Sequence, residues 1–215
     1  MNSSEDKSTG TSGGNGLVFL SFISGFAAFL LIGWAAFPKL LYSRKHQPFD
    51  FNHQLHNELV DDGCQSCHYF REDGSYAGVP KLARCVDCHG EMQGETEDER
   101  IFVEEYVKTG TEVPWLVYSR QPDCVFFSHA AHVKGAGMDC AICHGPIGHS
   151  TSLKPFEQNR ISGYSRDIWG QNIAGFKSHT WDRMKMDDCS ACHQKEGVAQ
   201  NSVQTSKGAC FVCHK

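Results

Sequence analysis

The feature that most constrains this chain is the motif C-x-x-C-H, which occurs five times in 215 residues. Two residues between the thiols let them span one edge of a porphyrin, and the residue that follows is then held beneath its metal. C-x-x-C-H is accordingly the attachment signature of c-type haem, in which both thiols form thioethers and the histidine ligates the iron. The sequence therefore predicts five haem c groups.

The predicted haem ligands follow directly from the motifs. The thioether cysteines are Cys64, Cys67, Cys85, Cys88, Cys140, Cys143, Cys189, Cys192, Cys210 and Cys213. The proximal axial histidines are His68, His89, His144, His193 and His214. Zinc is a weaker interpretation, because zinc sites take four ligands from paired C-x-x-C units and need no histidine after each pair. Redox-active disulfides belong to a thioredoxin-like βαβ setting, which this sequence does not show.

The number of predicted haems limits the kind of fold. About 170 residues must hold five haems, which leaves little room for a conventional apolar core. We expect the porphyrins to form the core, wrapped by short helices and loops, so that the fold class is mainly α and irregular. The net charge is −5. Together with the lack of a basic patch, it gives no indication of nucleic-acid binding.

An apolar segment precedes the motifs. From Gly16 to Phe37 the chain has 22 uncharged residues, enough for a helix to cross a bilayer core of about 30 Å. A cleaved signal peptide is the weaker alternative, because this run is long for one and only Lys7 precedes it. The sequence thus predicts an N-terminal single transmembrane helix that stays attached to the haem domain.

The charges that flank the span conflict with the haem chemistry. Lys39, Arg44 and Lys45 follow the span, so the positive-inside rule would place the larger part of the chain in the cytoplasm. Haem c is attached on the outer side of the bacterial cytoplasmic membrane, and five covalent sites outweigh a bias of two charges. We therefore predict a single-pass protein of the cytoplasmic (inner) membrane. Its predicted parts are a flexible cytoplasmic tail (1–15), a transmembrane anchor (16–43) and a periplasmic multihaem cytochrome c domain (44–215).

An internal repeat predicts the distal ligands. A phenylalanine and one or two histidines precede three motifs, with intervals of 11, 11 and 10 residues from His53, His129 and His179 to the next motif cysteine. In the first two copies a second histidine follows at i+3, on the same helical face, so that one short helix holds ligands for two irons. The predicted distal ligands are His53, His56, His129, His132 and His179, with His149 and His46 as further candidates. Met184 and Met186 are alternative axial ligands, but packing is the favoured role for them.

Cys124 belongs to no motif. A buried free thiol or a contact with another subunit is the plain interpretation. The sharper one is a sixth haem held by a single thioether, which twelve histidines would be enough to ligate.

An acidic run separates the first two motifs from the third. Its charged residues are Glu91, Glu95, Glu97, Asp98, Glu99, Glu104 and Glu105 against Arg100. Phe102, Val103, Tyr106 and Val107 predict a short amphipathic helix beneath them. A solvated face is the plain interpretation of the run, and a docking surface for a basic partner is the functional one.

At these residues the chain resembles a known group. Phe-x-His-x-x-His followed by C-x-x-C-H is similar to the class III periplasmic cytochromes c. With the anchor, five motifs and the segment Pro122-Asp123-Cys124-Val125-Phe126-Phe127-Ser128-His129, the chain resembles the membrane-anchored multihaem subunits of the quinone reductase complex Qrc and of alternative complex III. Related segments often have histidine where this chain has Cys124. The likeness covers about residues 16–215.

The resemblance implies a function and partners. It implies a relay of electrons from a soluble periplasmic tetrahaem cytochrome c toward a menaquinone-reducing module, without catalysis by this subunit alone. It implies molybdopterin-oxidoreductase-like, iron–sulfur and integral quinone-binding subunits, besides membrane lipid. Three alternatives remain: a quinol-oxidising complex of the alternative complex III type, a self-contained quinol dehydrogenase of the NapC/NrfH type, and a multihaem nitrite or sulfite reductase. The last needs an open iron, which bis-histidine ligation does not provide.

Overall fold

A computed structural model describes residues 12–165, 179, 181 and 186–197. The fifth motif, with Cys210, Cys213 and His214, lies outside the described residues. The chain divides into two compact units between Tyr42 and Ser43.

The first unit is helical. Helix α1 (Ser12–Leu31) continues through a π-helical segment (Ile32–Ala36) into α2 (Phe37–Leu41). The stretch Gly14–Ala36 is one helix of 23 residues with mean hydropathy 2.2, long and apolar enough to cross a membrane. Its large apolar side chains are exposed, as in a helix that is covered by lipid rather than by protein. The apolar stretch therefore forms one helix, as predicted, and is a candidate membrane span, while the anchor bounds 16–43 stay a prediction.

The second unit consists of short helices and irregular segments. Its helices are α3 (His53–Leu59), α4 (Cys64–Cys67), α5 (Leu82–His89), α6 (Glu97–Ile101), α7 (Ala141–His144) and α8 (Met186–Lys195). Single π-helical turns span Phe102–Val107 and Ala130–Gly135, and a 3₁₀ turn spans Ile147–His149. The mainly α and irregular class that the sequence predicts is confirmed.

A small two-stranded sheet lies in the described part of the chain. Strands β1 (Tyr42–Lys45) and β2 (Phe156–Asn159) pair with each other. Their side chains add contacts to the pairing: Arg44 Nε lies 3.1 Å from Glu157 Oε1, and Ser43 Oγ donates to the carbonyl of Gln158. These two strands are more than a hundred residues apart in sequence, so local pattern alone does not reveal the pairing.

Protein side chains form one small apolar cluster in the described part of the second unit. Phe49, Leu82, Phe102 and Val103 are its buried members, and Phe49 packs against Phe102 and Trp115 with ring centres 5.2 and 4.8 Å apart. The cluster buries one face of the turn Phe102–Val107, which confirms the predicted amphipathic helix. Such a small core is what a domain built around large apolar cofactors requires.

Candidate haem-binding sites

The first Phe-x-His-x-x-His segment forms a compact ligand holder. Asn52 caps α3, because its Oδ1 accepts a hydrogen bond from the amide of Leu55 at 3.0 Å. The Nδ1 atom of His56 lies 2.8 Å from the carbonyl oxygen of Asn52. Phe51 stacks on His56 with ring centres 4.2 Å apart and meets His53 edge-on at 4.8 Å. These contacts fix both imidazole rings.

The second segment repeats this arrangement with different residues. Ser128 Oγ accepts from the amide of Ala131 at 3.2 Å, and the Nδ1 atom of His132 lies 2.8 Å from the carbonyl oxygen of Ser128. Phe127 stacks on His132 at 4.4 Å and meets His129 edge-on at 4.9 Å. The repeat predicted from the sequence is therefore a repeated local structure, although the first copy is α-helical and the second is a π-helical turn.

Three of the four histidines in these holders face a motif histidine. Two imidazoles that ligate one metal from opposite sides, each through a nitrogen about 2 Å from it, have ring centres about 6 Å apart. The facing pairs and their ring-centre distances are His56 with His89 at 6.0 Å, His129 with His144 at 6.4 Å, and His132 with His193 at 5.9 Å. The residues present therefore fit an iron ligated by two histidines at three of the motifs.

The fourth holder histidine, His53, lies near the proximal histidine of the first motif. Burial lowers the pKa of His53 below its ordinary value, and the neighbouring His68 and His56 lower it further. The pKa values of His129 and His144 are also lowered, first by desolvation of the rings and then by other histidines. These rings are therefore neutral near pH 7, the form in which imidazole ligates iron.

Hydrogen bonds at Nδ1 orient several of these rings. His68 Nδ1 lies 2.8 Å from the carbonyl oxygen of Gly78, and His89 Nδ1 lies 2.9 Å from Oε1 of Glu99. Carbonyl and carboxylate oxygens only accept, so Nδ1 carries the proton in each case. The same holds for His56 and His132, which leaves Nε2 of all four rings as the nitrogen that ligates a metal.

The thiols of neighbouring motifs lie close together. Burial raises the pKa of Cys85 to about 11, and Cys67 contributes to that shift. Burial likewise raises the pKa of Cys140, with a further contribution and a hydrogen bond from Cys64. The pKa of Cys143 is raised by burial and then by Cys192. These contacts join the four described motifs into a row of neighbours, with the second next to the first, the first next to the third and the third next to the fourth.

The zinc interpretation gains no support from this geometry. Among residues 12–165, 179, 181 and 186–197, no group of three or more His, Cys, Asp or Glu side chains could hold a metal ion. A structural zinc site needs four ligands that lie close together.

Trp181 packs over the third motif. Gly145 directly follows His144 and has φ of 67°, and a Cβ added there would lie 2.7 Å from the indole nitrogen of Trp181. His179 stacks on the same tryptophan with ring centres 4.6 Å apart. Only glycine fits at this position, because it tolerates both the backbone angle and the close ring.

The other predicted ligands remain predictions. His46 directly follows β1 and is exposed, and His149 ends the 3₁₀ turn with its side chain exposed as well. Cys124 is exposed, which does not agree with the interpretation as a buried thiol. His179 stays a predicted distal ligand, and the fifth motif with His214 lies outside the described residues.

Four acidic side chains of the 91–105 run have partners within the domain. Arg100 pairs with Glu97 and with Glu104, and Asp98 Oδ1 accepts from the amide of Asp50 at 2.8 Å. Glu99 binds His89, a role that the sequence analysis missed because it treated the run as one surface. A threonine three residues before a glutamate signals a helix start, but nothing local indicates that this carboxylate reaches a haem-motif histidine.

Comparisons with known proteins agree with this geometry. The family model described as "Class III cytochrome C family" matches residues 35–112, and the model "Cytochrome c7 and related cytochrome c" matches residues 125–215. The "Menaquinone reductase, multiheme cytochrome c subunit" of Nitratidesulfovibrio vulgaris (strain Hildenborough) is 41% identical over 203 residues, which cover 90% of this chain and 89% of the relative. The chain belongs to this family of multihaem cytochrome c subunits.

Family membership confirms the resemblance drawn from the motifs and implies covalently bound haem c. Each family model covers one ligand holder with the motifs near it, so each half of the chain matches a cytochrome c family model of its own. Cys124 lies between the two matched segments.

Proposed function

We propose that the chain relays electrons within a membrane-bound menaquinone reductase, from a soluble periplasmic tetrahaem cytochrome c toward a menaquinone-reducing module. The observation that carries this proposal is the row of four motifs, three of them with a facing histidine pair at the spacing of bis-histidine ligation. When bound, each haem supplies an iron that gains and loses one electron.

The proposed axial ligands follow the facing pairs. The two histidines of each holder ligate different haems, so that one turn of the chain fixes the distance between two cofactors. The proposed distal and proximal pairs are His53 with His68, His56 with His89, His129 with His144, His132 with His193, and His179 with His214. With two histidines on each iron, no coordination position is open to substrate, which favours relay over chemistry at the metal.

The proposed cofactor content is five haems, with a sixth at Cys124 as a further hypothesis. Cys124 is exposed, which favours this hypothesis over that of a buried thiol. His46 and His149 are the remaining histidines that could ligate such a haem.

The proposed setting is the periplasmic face of the cytoplasmic membrane. The apolar helix Gly14–Ala36 anchors the chain, and haem attachment outside the cytoplasm supports a periplasmic domain over residues 44–215. The partners are membrane lipid and the molybdopterin-oxidoreductase-like, iron–sulfur and integral quinone-binding subunits. A quinol-oxidising complex would use the same row of haems in the opposite direction.

The proposed docking surface for the donor is narrower than the whole acidic run. Glu91, Glu95 and Glu105 are exposed, whereas Glu99 and Asp98 bind groups of their own domain. A basic surface on the cytochrome donor would face these three carboxylates.

Rapid mixing of the purified complex with a reduced tetrahaem cytochrome c tests the relay. We expect the haems of this subunit to be reduced first and then reoxidised when a menaquinone analogue is added. If the quinone is reduced while these haems stay oxidised, the relay is wrong. If only added quinol reduces them, electrons flow in the direction of the alternative complex.

A further inference from the structure

Glu99 is set apart from the rest of the acidic run by what its carboxylate binds. Oε1 accepts from His89 Nδ1 at 2.9 Å and from the amide of Gln93 at 2.6 Å, and Oε2 accepts from the amide of Gly94 at 2.7 Å. Its side chain is only 11% exposed, against 67% for that of Glu97 two residues earlier. The loop before α6 thus folds around this carboxylate and aims it at the ring of His89.

The local sequence assigns Glu99 a different role. Thr96 and Glu99 have the spacing of a capping box, in which the glutamate would bond back to the amide of the capping residue. Thr96 does cap α6, since its hydroxyl accepts from the amide of Glu99 at 3.2 Å. The glutamate side chain instead accepts from Gln93, Gly94 and His89, so helix capping does not explain its position.

Three donors meet the carboxylate of Glu99: the ring of His89 and the amides of Gln93 and Gly94. Such a set of donors suits a charged acceptor. Phe102 meets the ring of His89 edge-on, with ring centres 5.7 Å apart. Apolar surroundings make a neighbouring charge more strongly felt than it would be in water.

The other Nδ1 contacts of the holders and motifs are to neutral oxygens. His68 bonds to the carbonyl of Gly78, His56 to that of Asn52, and His132 to that of Ser128. A carboxylate acceptor raises the basicity of a metal-bound imidazole more than a carbonyl does, and a more basic ligand favours ferric over ferrous iron.

We propose that Glu99 lowers the reduction potential of the haem held at Cys85, Cys88 and His89 below that of the haem held at Cys64, Cys67 and His68. Glu99 is a positioning residue: it touches His89 and acts on the iron through that ring. The effect requires haem at the second motif but no particular direction of electron flow.

A low reduction potential of the haem at the second motif suits the position of that motif. Among the four motifs that the structure describes, the second is a neighbour of the first and stands at one end of the row. A low-potential haem at the end of a row passes its electron onward to a neighbour of higher potential. On the proposed function, which this last step requires, the haem at Cys85 is the one that accepts electrons from the donor cytochrome.

Potentiometric titration of the purified chain, followed by visible and EPR spectra, tests the proposal. In Glu99→Gln we expect one midpoint to rise, with haem content and low-spin spectra unchanged. At the potential where that haem is half reduced in the wild type, its reduced-to-oxidised ratio should rise at least tenfold, equal to about 59 mV for one electron. Glu97→Gln removes a charge of the same helix that does not touch His89, and should leave every midpoint in place. Glu99→Asp, which keeps the charge, should recover most of the shift.

Equal midpoints in the Glu99→Gln variant and the wild type would overturn the proposal, and so would equal shifts in the Glu97 and Glu99 variants. If the Glu99→Gln variant does not bind haem, the EPR spectra of the wild-type protein provide the test. One of the later-reduced haems should then show a smaller g anisotropy than a haem reduced before it, as a more basic imidazole ligand favours. If the later-reduced haems have the same g values as the rest, Glu99 does not tune the haem at Cys85. Failure of electron delivery to quinone would leave these midpoints unaffected and would count against the relay alone.

Discussion

The two ligand holders have nearly the same internal geometry and different surroundings. In each, a phenylalanine stacks on one histidine and meets the other edge-on, and Nδ1 of the stacked histidine bonds to a main-chain carbonyl four residues earlier. The first holder adjoins the apolar cluster of Phe49, Leu82, Phe102 and Val103. Of the described residues 123–149, which contain the second holder, only Gly145 is buried.

This difference distinguishes the positioning of the ligands, which is repeated, from the environment of each site, which is not. The motif and its holder determine where an iron sits and which atoms ligate it, and that part is repeated. The environment beyond the predicted ligands differs between the modules, because a largely covered carboxylate and an aromatic ring lie beside His89. On the proposed function, the repeat supplies the row of haems, and the individual surroundings would give its members different potentials.

Removal of a distal histidine should have the largest effect in either module. In His56→Ala and in His132→Ala we expect one low-spin haem to become high-spin and to bind carbon monoxide, because its iron loses the sixth ligand. Visible and EPR spectra of the purified variants measure this. Leu55→Ala is the matched control, since Leu55 is exposed on the same helix as His56. Fully low-spin spectra in both histidine variants would show that the holders do not supply ligands.

Truncation within the apolar cluster should distinguish the modules by stability. Phe49→Ala should lower the free energy of unfolding by about 3–5 kcal/mol, because a buried aromatic side chain is lost. Phe127→Ala in the second module should lower it less, since that ring is 36% exposed. Denaturant unfolding of the haem-loaded chain gives both values. Equal losses would contradict the view that the protein core adjoins the first holder.

The third motif should be sensitive to a single methyl group. Gly145→Ala should lower the free energy of unfolding by about 1–3 kcal/mol from the backbone alone, because φ of 67° with ψ of −168° is a conformation that essentially only glycine adopts. The contact with Trp181 adds to that cost. Gly148→Ala is the control, because a Cβ at that glycine meets nothing within 4 Å. If the two variants have the same stability, Trp181 does not cover the third motif in solution.

The smallest effect should come from the docking surface. Simultaneous change of Glu91, Glu95 and Glu105 to Gln should weaken binding of a basic tetrahaem cytochrome and flatten its salt dependence, because exposed charges act mainly through screened attraction. Binding measured at several salt concentrations gives the slope. Glu196→Gln, an exposed carboxylate of the other module, should leave the slope alone. An unchanged salt dependence in the triple variant would show that the cytochrome docks at another surface.

The haem ligands were easier to predict from the sequence than the surroundings of each haem. The five motifs, the i,i+3 histidine pairs and the apolar span were all predictable, because each is a local pattern with one dominant chemistry. The facing of His132 and His193 was not, since 60 residues separate them and no local rule pairs them. The role of Glu99 and the pairing of β1 with β2 were missed for the same reason: both depend on contacts that only the folded chain brings together.

Redox-monitored visible and EPR titration of the purified protein tests the bis-histidine relay most directly, with haem counted by pyridine haemochrome and intact mass. We expect five covalently attached haems, all low-spin, and a sixth attachment would be located at Cys124. A high-spin haem that binds added ligand in the wild type would contradict it, because an open iron does not belong in a bis-histidine relay.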